Sequence, residues 1–180
     1  MEAQAAGLNT FVRPVGSTDA LASRQAFDRL FLAEYARVVN IANRVLADPA
    51  EAEDVAQEVF IAYSRKHSPL ADFAPAWLHR AAWHAALNRV RGRRRRNARE
   101  AGTVVTDAGL DPADAVVDAD QRRLVREAMA RLPEKQAAVL ALRYSGLSYA
   151  EVAGSMGVRI GQVGTMLRRA EARLRQEVSR

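Results

Sequence analysis

The chain has 180 residues, with 27 Lys and Arg against 21 Asp and Glu, which gives a formal net charge of +6. The absence of cysteine excludes disulfides, thiolate metal sites and cysteine nucleophiles. Charges interrupt every apolar stretch before the roughly 18 residues that a membrane-spanning helix needs, and we see no secretory signal at the N-terminus. We therefore expect a cytoplasmic protein whose basic surface suits nucleic acid, although arginine richness is also produced by codon bias.

The basic residues fall into two zones with an acidic segment between them. Residues 76–100 hold eight arginines and one acidic residue, and residues 121–180 hold twelve basic and five acidic residues. Residues 101–120 contain five aspartates, with glycine and proline and no helical period, which predicts a flexible linker. The predicted organisation is a flexible N-terminal tail at 1–23, a first domain at 24–100, a linker at 101–118 and a second domain at 119–180.

The predicted elements of the first domain are all helices, because strand signals are absent. Apolar residues from Phe27 onward follow the i, i+3, i+4 spacing of a first helix. A second helix begins at Asp48, an N-cap that is followed by proline at the first position and glutamate at the third, as in a capping box. A third helix begins near Pro75 and continues through an arginine cluster to about Arg96.

The second domain has the pattern of a helix-turn-helix. Pro133 opens a helix that ends at Tyr144, and a capping box at Ser148 starts a short helix. Gly157 makes the turn into a third helix at about 160–177. In such motifs the second helix of the pair enters the major groove of DNA. The alternative is a three-helix bundle with a solvated basic face.

The last helix separates an apolar stripe from a polar face. Its stripe begins at Val163 and is expected to be core. Arginine pairs with guanine through two donors, and further arginines bind phosphate. The candidate DNA contacts are Arg159, Gln162, Thr165, Arg168 and Arg169.

Two faces of the first domain carry further candidates. Asp54 and Glu58 lie beyond the first turn of the second helix, where they either dock a basic partner helix or only aid solubility. On the third helix we place Arg80, His84, Leu87 and Arg91 on an outer face flanked by Trp83, an arrangement that suits unpaired bases. The alternative is tryptophan in the core and a solvated arginine run.

No site for chemistry is predicted. The three histidines lack zinc spacing and cysteine or carboxylate company. There is no Ser/His/Asp constellation, phosphate loop or pair of catalytic carboxylates. We expect no enzyme activity, no cofactor, no metal and no catalytic residue.

From about residue 24 to 178 the chain resembles the extracytoplasmic-function (group IV) branch of bacterial sigma-70 RNA polymerase sigma factors. Residues 48–60 are similar to region 2.2 of the family, residues 77–82 with the arginines that follow to regions 2.3 and 2.4, and residues 132–175 to region 4. The resemblance implies an all-α fold: a region 2 helical bundle and a region 4 helix-turn-helix joined by a flexible acidic linker.

The resemblance also implies partners and roles. They are the largest and second-largest subunits of core RNA polymerase, promoter DNA and an anti-sigma factor, without membrane insertion. Polymerase docking would use Asp54, Gln57 and Glu58. The loop from Arg65 to Pro75 would capture a flipped base of the minus-ten element. Contacts to that element would come from Lys66, Arg80, His84, Asn88, Arg91 and Arg94. The helix-turn-helix would bind the minus-thirty-five element.

Four positions depart from the common pattern of the family. His84 and Asn88 bear on the base preference at the minus-ten element, and Gly164 and Glu171 bear on recognition of the minus-thirty-five element. Two other hypotheses stay open. A dimeric helix-turn-helix regulator would protect a palindromic duplex site. An interaction protein with incidental basic faces would not bind DNA with a steep salt dependence.

Overall fold

A computed structural model describes residues 17–100 and 114–179. Over these residues the chain forms seven helices and no strand. In chain order they are α1 (Ser17–Leu46), α2 (Pro49–Lys66), α3 (Ala74–Glu100), α4 (Asp114–Arg131), α5 (Glu134–Tyr144), α6 (Tyr149–Met156) and α7 (Ile160–Val178). The predicted all-α class is confirmed.

Helices α1, α2 and α3 pack against one another through a buried apolar cluster. The predicted start of α2 is confirmed, because Asp48 Oδ1 accepts a hydrogen bond from the Glu51 backbone N–H at 3.1 Å. The reciprocal half of the capping box was wrong: the Glu51 carboxylate contacts the Arg93 guanidinium of α3 instead. Helix α1 begins at Ser17, so it extends into the predicted tail, of which residues 1–16 lie outside the described chain.

Helices α4 to α7 form the second group. Ser148 Oγ accepts from the Glu151 N–H and Glu151 Oε2 accepts from the Ser148 N–H, which confirms the predicted capping box. Gly157 has φ 64°, a left-handed conformation that glycine adopts without a Cβ penalty. Helix α4 begins at Asp114, within the residues that the sequence analysis assigned to the linker, and the limits of the linker stay a prediction.

The two groups of helices lie against each other. Helices α5 and α6 pack on α1 and α3, and one buried cluster runs through both groups. An ion pair between Arg37 of α1 and Glu151 of α6, with 2.7 Å between Nη1 and Oε1, spans the same boundary. We call this packing of α4–α7 on α1–α3 the closed arrangement. The limits 24–100 and 119–180 of two separate domains stay a prediction.

Candidate nucleic-acid and protein-binding surfaces

The closed arrangement divides the six side chains predicted to contact the minus-ten element. Lys66, Arg80, Asn88 and Arg94 are exposed to solvent. The other two, His84 and Arg91, are half-buried and face Glu134 at the start of α5. The structure therefore gives these side chains, five on α3 and one at the end of α2, two different environments.

His84 is held between two neighbours. Its ring stacks on Trp83 with 3.6 Å between centroids, and its Nδ1 lies 3.4 Å from Glu134 Oε1. Burial lowers the pKa of His84 below its ordinary value; the carboxylate of Glu134 raises it and the charge of Arg80 lowers it. The imidazole therefore loses its proton more readily than a free histidine does.

Arg91 makes two contacts with the second group of helices. Its Nη2 donates to the Leu132 carbonyl at 3.0 Å, and its Nη1 lies 3.7 Å from Glu134 Oε2. Glu134 is the first residue of α5, where a carboxylate is favoured by the helix dipole. The Glu134 carboxylate at the N-terminus of α5 thus faces His84 and Arg91, two of the six predicted minus-ten contacts.

Only part of the outer face that we predicted for α3 is exposed. Arg80 is exposed, whereas Trp83 and Leu87 are buried on a helix against which α4, α5 and α6 pack. The core interpretation of Trp83 therefore holds in the closed arrangement. The apolar spacing of α3 did not reveal this packing. Residues buried between two groups of helices repeat with the same period as residues buried in the core of one group.

The loop between α2 and α3 is held by an aromatic cluster. The His67 ring contacts the rings of Tyr63, Phe73 and Trp77 at centroid distances of 5.1–5.4 Å. The Tyr63 hydroxyl donates to the Ser68 carbonyl at 2.7 Å, and burial raises the pKa of Tyr63. Leu70 at the loop tip stays 72% exposed. An ordered loop with exposed apolar side chains suits contact with an unstacked base.

The predicted polymerase-docking residues lie on the outer face of α2. Asp54, Gln57 and Glu58 are all exposed, and Glu58 Oε1 accepts from Arg89 Nη2 of α3 at 2.6 Å. Ile61 lies one turn after Gln57 and is 50% exposed. The sequence analysis missed Ile61, although its i+4 spacing from Gln57 was visible. The face therefore offers an apolar side chain among acidic and polar ones.

Helix α7 turns its polar face to solvent as predicted. Val163 and Ala170 are buried, while Thr165, Arg168 and Arg169 are exposed. Arg159 and Gln162, two further candidates, are exposed at the start of α7. There Gln162 Oε1 accepts a hydrogen bond from the Arg159 backbone N–H at 3.1 Å.

One departure from the family pattern has a structural partner. The Tyr144 hydroxyl of α5 donates to Glu171 Oε1 of α7 at 2.8 Å, and this hydrogen bond is the main cause of a raised Tyr144 pKa. The contact ties α5 to α7. A Cβ at Gly164 would lie 3.6 Å from the Tyr149 ring, an ordinary contact, so packing alone does not require glycine there.

A buried polar cluster that the sequence analysis did not detect joins α1, α3 and α6. His79 Nε2 lies 2.8 Å from Glu34 Oε2, and His79 Nδ1 lies 3.5 Å from Ser155 Oγ. The residue types are those of a hydrolytic triad, but Ser155 is only 1% exposed and the cluster offers no access to a substrate. Its position across the boundary indicates a structural role in the closed arrangement.

Within the described ranges, none of the helices is long and apolar enough to cross a membrane.

Comparison with known proteins matches both groups of helices to one family. The family models Sigma-70 region 2 and Sigma-70 region 4 match residues 30–96 and 122–174. An ECF RNA polymerase sigma factor SigK from Mycolicibacterium vanbaalenii is 31% identical over 91% of this chain and 85% of its own length. The ECF RNA polymerase sigma factor SigW from Bacillus subtilis is 30% identical over 79% of this chain and 83% of its own length.

Two solved structures share the fold. The sigma factor RpoE in complex with the anti-sigma factor NepR, from Bartonella quintana, aligns with a TM-score of 0.53 and 21% identity over 86% of this chain and 98% of that chain. CnrH in complex with the cytosolic domain of CnrY aligns with a TM-score of 0.55 and 20% identity over 91% of this chain and 98% of that chain. With both region models and full-length relatives matched, this chain belongs to the extracytoplasmic-function RNA polymerase sigma factors of the sigma-70 family.

Proposed function

We propose that this chain binds core RNA polymerase, directs it to specific promoters and helps to melt the minus-ten region. The observation that carries this proposal is the joint surface of α3 and the preceding loop. There the loop has an exposed apolar tip at Leu70, and the exposed Arg80, Asn88 and Arg94 follow it along the length of α3. Such a surface suits a melted strand, because bases contact apolar groups while the backbone follows the positive charge.

Promoter melting needs no reaction on this chain. Extruding a base from the duplex costs a few kcal/mol, and a surface that binds only the extruded form shifts the population toward it. Lys66 stands at the end of α2, where the loop begins, and Arg80 and Arg94 stand on α3. These cations supply phosphate contacts along the strand, and the polymerase supplies catalysis.

The helix-turn-helix supplies the second promoter contact. We assign recognition of duplex DNA at the minus-thirty-five element to the exposed face of α7, using Arg159, Gln162, Thr165, Arg168 and Arg169. Two features at the start of the helix support this assignment: Gly157 makes the left-handed turn before it, and Gln162 Oε1 accepts from the Arg159 backbone N–H. Polymerase docking is assigned to the largest subunit through Asp54, Gln57 and Glu58, with a further contact to the second-largest subunit.

The closed arrangement implies an opening step. His84 and Arg91 contact DNA only after α5 has moved away, because Glu134 and the Leu132 carbonyl occupy them. We infer that polymerase binding separates the two groups of helices and releases the remaining minus-ten contacts. The free chain then binds promoter DNA weakly, and the holoenzyme binds it with all six minus-ten contacts.

We also propose an anti-sigma factor as a partner in the cytoplasm. The proposal is supported by the two structural neighbours, one of which is in complex with an anti-sigma factor and the other with the cytosolic domain of CnrY. Affinity purification of the chain from unstressed cells is expected to recover a second small protein besides polymerase. Recovery of polymerase alone under every growth condition tested would contradict this part.

The test of the main proposal begins without a known promoter. Core polymerase and the purified chain are incubated with fragmented genomic DNA of the encoding organism, and the run-off transcripts are sequenced to find start sites. Permanganate then probes unpaired thymines at the promoters found. We expect reactive thymines near the start site only when chain and core polymerase are both present.

Matched variants make the result specific. Arg80→Gln and Arg94→Gln should reduce thymine reactivity while leaving core-polymerase binding intact, and Arg24→Gln, an exposed arginine of α1, serves as the charge-matched control. Protection of a palindromic duplex by the chain alone, without melting, would instead support a dimeric regulator. Failure to bind core polymerase would refute the sigma-factor mechanism for this chain.

A further inference from the structure

A groove of about 340 Å³ lies between the second half of α3 and α4. Its charged lining consists of Arg93, Arg94, Arg123, Arg126, Glu127 and Arg131, and Asn97 adds a polar side chain. The buried side chains of Val90 and Ala130 contribute apolar surface. Five arginines against one glutamate give the groove a strong positive potential, and its volume falls in the range of small-molecule sites.

Carboxylates of the described residues balance three of the five arginines. Glu127 lies 3.3 Å from Arg131, Asp120 lies 3.6 Å from Arg123, and Arg93 contacts Glu51 on α2. Among the described residues, Arg94 and Arg126 have no carboxylate partner. Two arginine-rich helices therefore face each other across a groove with unbalanced charge, which opposes their packing.

A buried donor points to the missing charge. Nε of Arg126 is buried and has no hydrogen-bond acceptor in the described part of the chain. Arg93 also has buried donors, but its guanidinium contacts the Glu51 carboxylate, so its charge is balanced. Buried unsatisfied donors cost free energy and are rare in folded proteins. Arg94 and Arg126 line opposite walls of the groove, and guanidinium groups match the oxygens of a phosphate group, which accept paired N–H donors.

We propose that this groove binds a small phosphate-bearing anion with several charges, such as a nucleotide or inorganic polyphosphate. A duplex cannot enter a groove between two packed helices, whose axes lie roughly 8–10 Å apart in such packing, so the proposed ligand is a small molecule. The ligand contacts α3 of region 2 and α4 of region 4 together, so it binds the closed arrangement in preference to a separated one. The binding itself is independent of the proposed function; only its consequence, weaker promoter contact by the free chain, depends on it.

Titration calorimetry of the full chain with inorganic tripolyphosphate tests the proposal, at constant ionic strength set with potassium chloride. The test variant is Arg123→Gln with Arg126→Gln, and the control is Arg24→Gln with Arg29→Gln, two exposed arginines of α1. We expect the control to bind as the unmodified chain does and the test variant to bind at least about tenfold more weakly. Tripolyphosphate should also raise the unfolding midpoint of the unmodified chain.

Two further measurements guard the interpretation. Helical content by circular dichroism checks the fold of the test variant, and Arg126→Lys, which keeps the charge but loses the planar fork, should also weaken binding. Equal binding by all variants, or none by the unmodified chain, would overturn the proposal. A further outcome would also overturn the proposal: binding of a short single-stranded oligonucleotide that requires Arg123 and Arg126 and is not competed by tripolyphosphate. That result would assign the groove to a nucleic-acid backbone.

Discussion

Removing the Glu134 carboxylate should shift the free chain away from the closed arrangement. Glu134 faces His84 at 3.4 Å and Arg91 at 3.7 Å, and its side chain is 48% exposed. Exposed contacts of this kind contribute roughly 0.2–1 kcal/mol each. Their sum of about 1 kcal/mol corresponds to an approximately fivefold change in the ratio of open to closed chains. The substitution Glu134→Gln keeps the size of the side chain and removes its charge.

Energy transfer between two dyes measures this ratio directly. The chain has no cysteine, so single cysteines introduced at Ser64 of α2 and Ala172 of α7, both exposed, give specific labelling. Transfer should fall in Glu134→Gln and stay unchanged in Asp28→Asn, which removes an exposed carboxylate of α1. The difference between the two variants should shrink in high salt, because screening weakens the contacts of Glu134 in the unmodified chain.

A second readout connects the shift to DNA. Fluorescence anisotropy with a single-stranded oligonucleotide should show tighter binding by Glu134→Gln than by Asp28→Asn. In an Arg91→Gln background the gain should be smaller, because one of the two released side chains is absent. Unchanged energy transfer in Glu134→Gln would refute the reasoning. Tighter DNA binding alone would not support it, since removal of a carboxylate also reduces the repulsion between the chain and DNA.

Three other results are expected. Hydrogen bonds with Ser148 hold the pKa of Glu151 at about 2, against an ordinary value of 4.5. The contribution of Glu151 to the free energy of unfolding is therefore complete above pH 4.5 and lost as pH falls toward 2. Solvent screening limits this contribution to about 1 kcal/mol. Glu151→Ala should remove this pH dependence from urea unfolding. Asp54→Arg should weaken binding to immobilised core polymerase about tenfold, whereas equal binding by Asp54→Arg and Asp28→Arg would contradict the docking face. Gly157→Ala should lower the free energy of unfolding by about 1–2 kcal/mol, because φ is positive there; an unchanged thermal midpoint would contradict the strain argument.

Local helix signals were predictable from the sequence because each depends on a few neighbouring residues. The cap at Asp48, the capping box at Ser148 and the left-handed turn at Gly157 all form as expected. The start of α4 was not predictable in the same way. An apolar period appears only where a helix packs, so its absence over residues 114–118 did not exclude a helix.

The exposure of the candidate side chains was predictable only where they face solvent and no other helix packs on them. Thr165 and Arg168 are exposed because no other helix of the described chain packs on that side of α7. His84 and Arg91 were assigned to the same face as Arg80, but long-range packing gave them different environments. Neither the buried cluster around His79 nor the role of Glu134 was visible, because their partners lie more than forty residues away in the chain.

The contacts of Glu134 explain how one helix face serves two purposes. An arginine binds a carboxylate and a phosphate through the same planar donors, so Arg91 accepts either partner. In the closed arrangement the carboxylate of α5 takes the position that we propose for a DNA phosphate. The two partners therefore compete for Arg91, and because the carboxylate contacts are exposed and weak, a polymerase that holds the two groups of helices apart needs little free energy to break them. The apolar surface around Trp83 and Leu87 is the larger cost of opening, and polymerase binding must offset it.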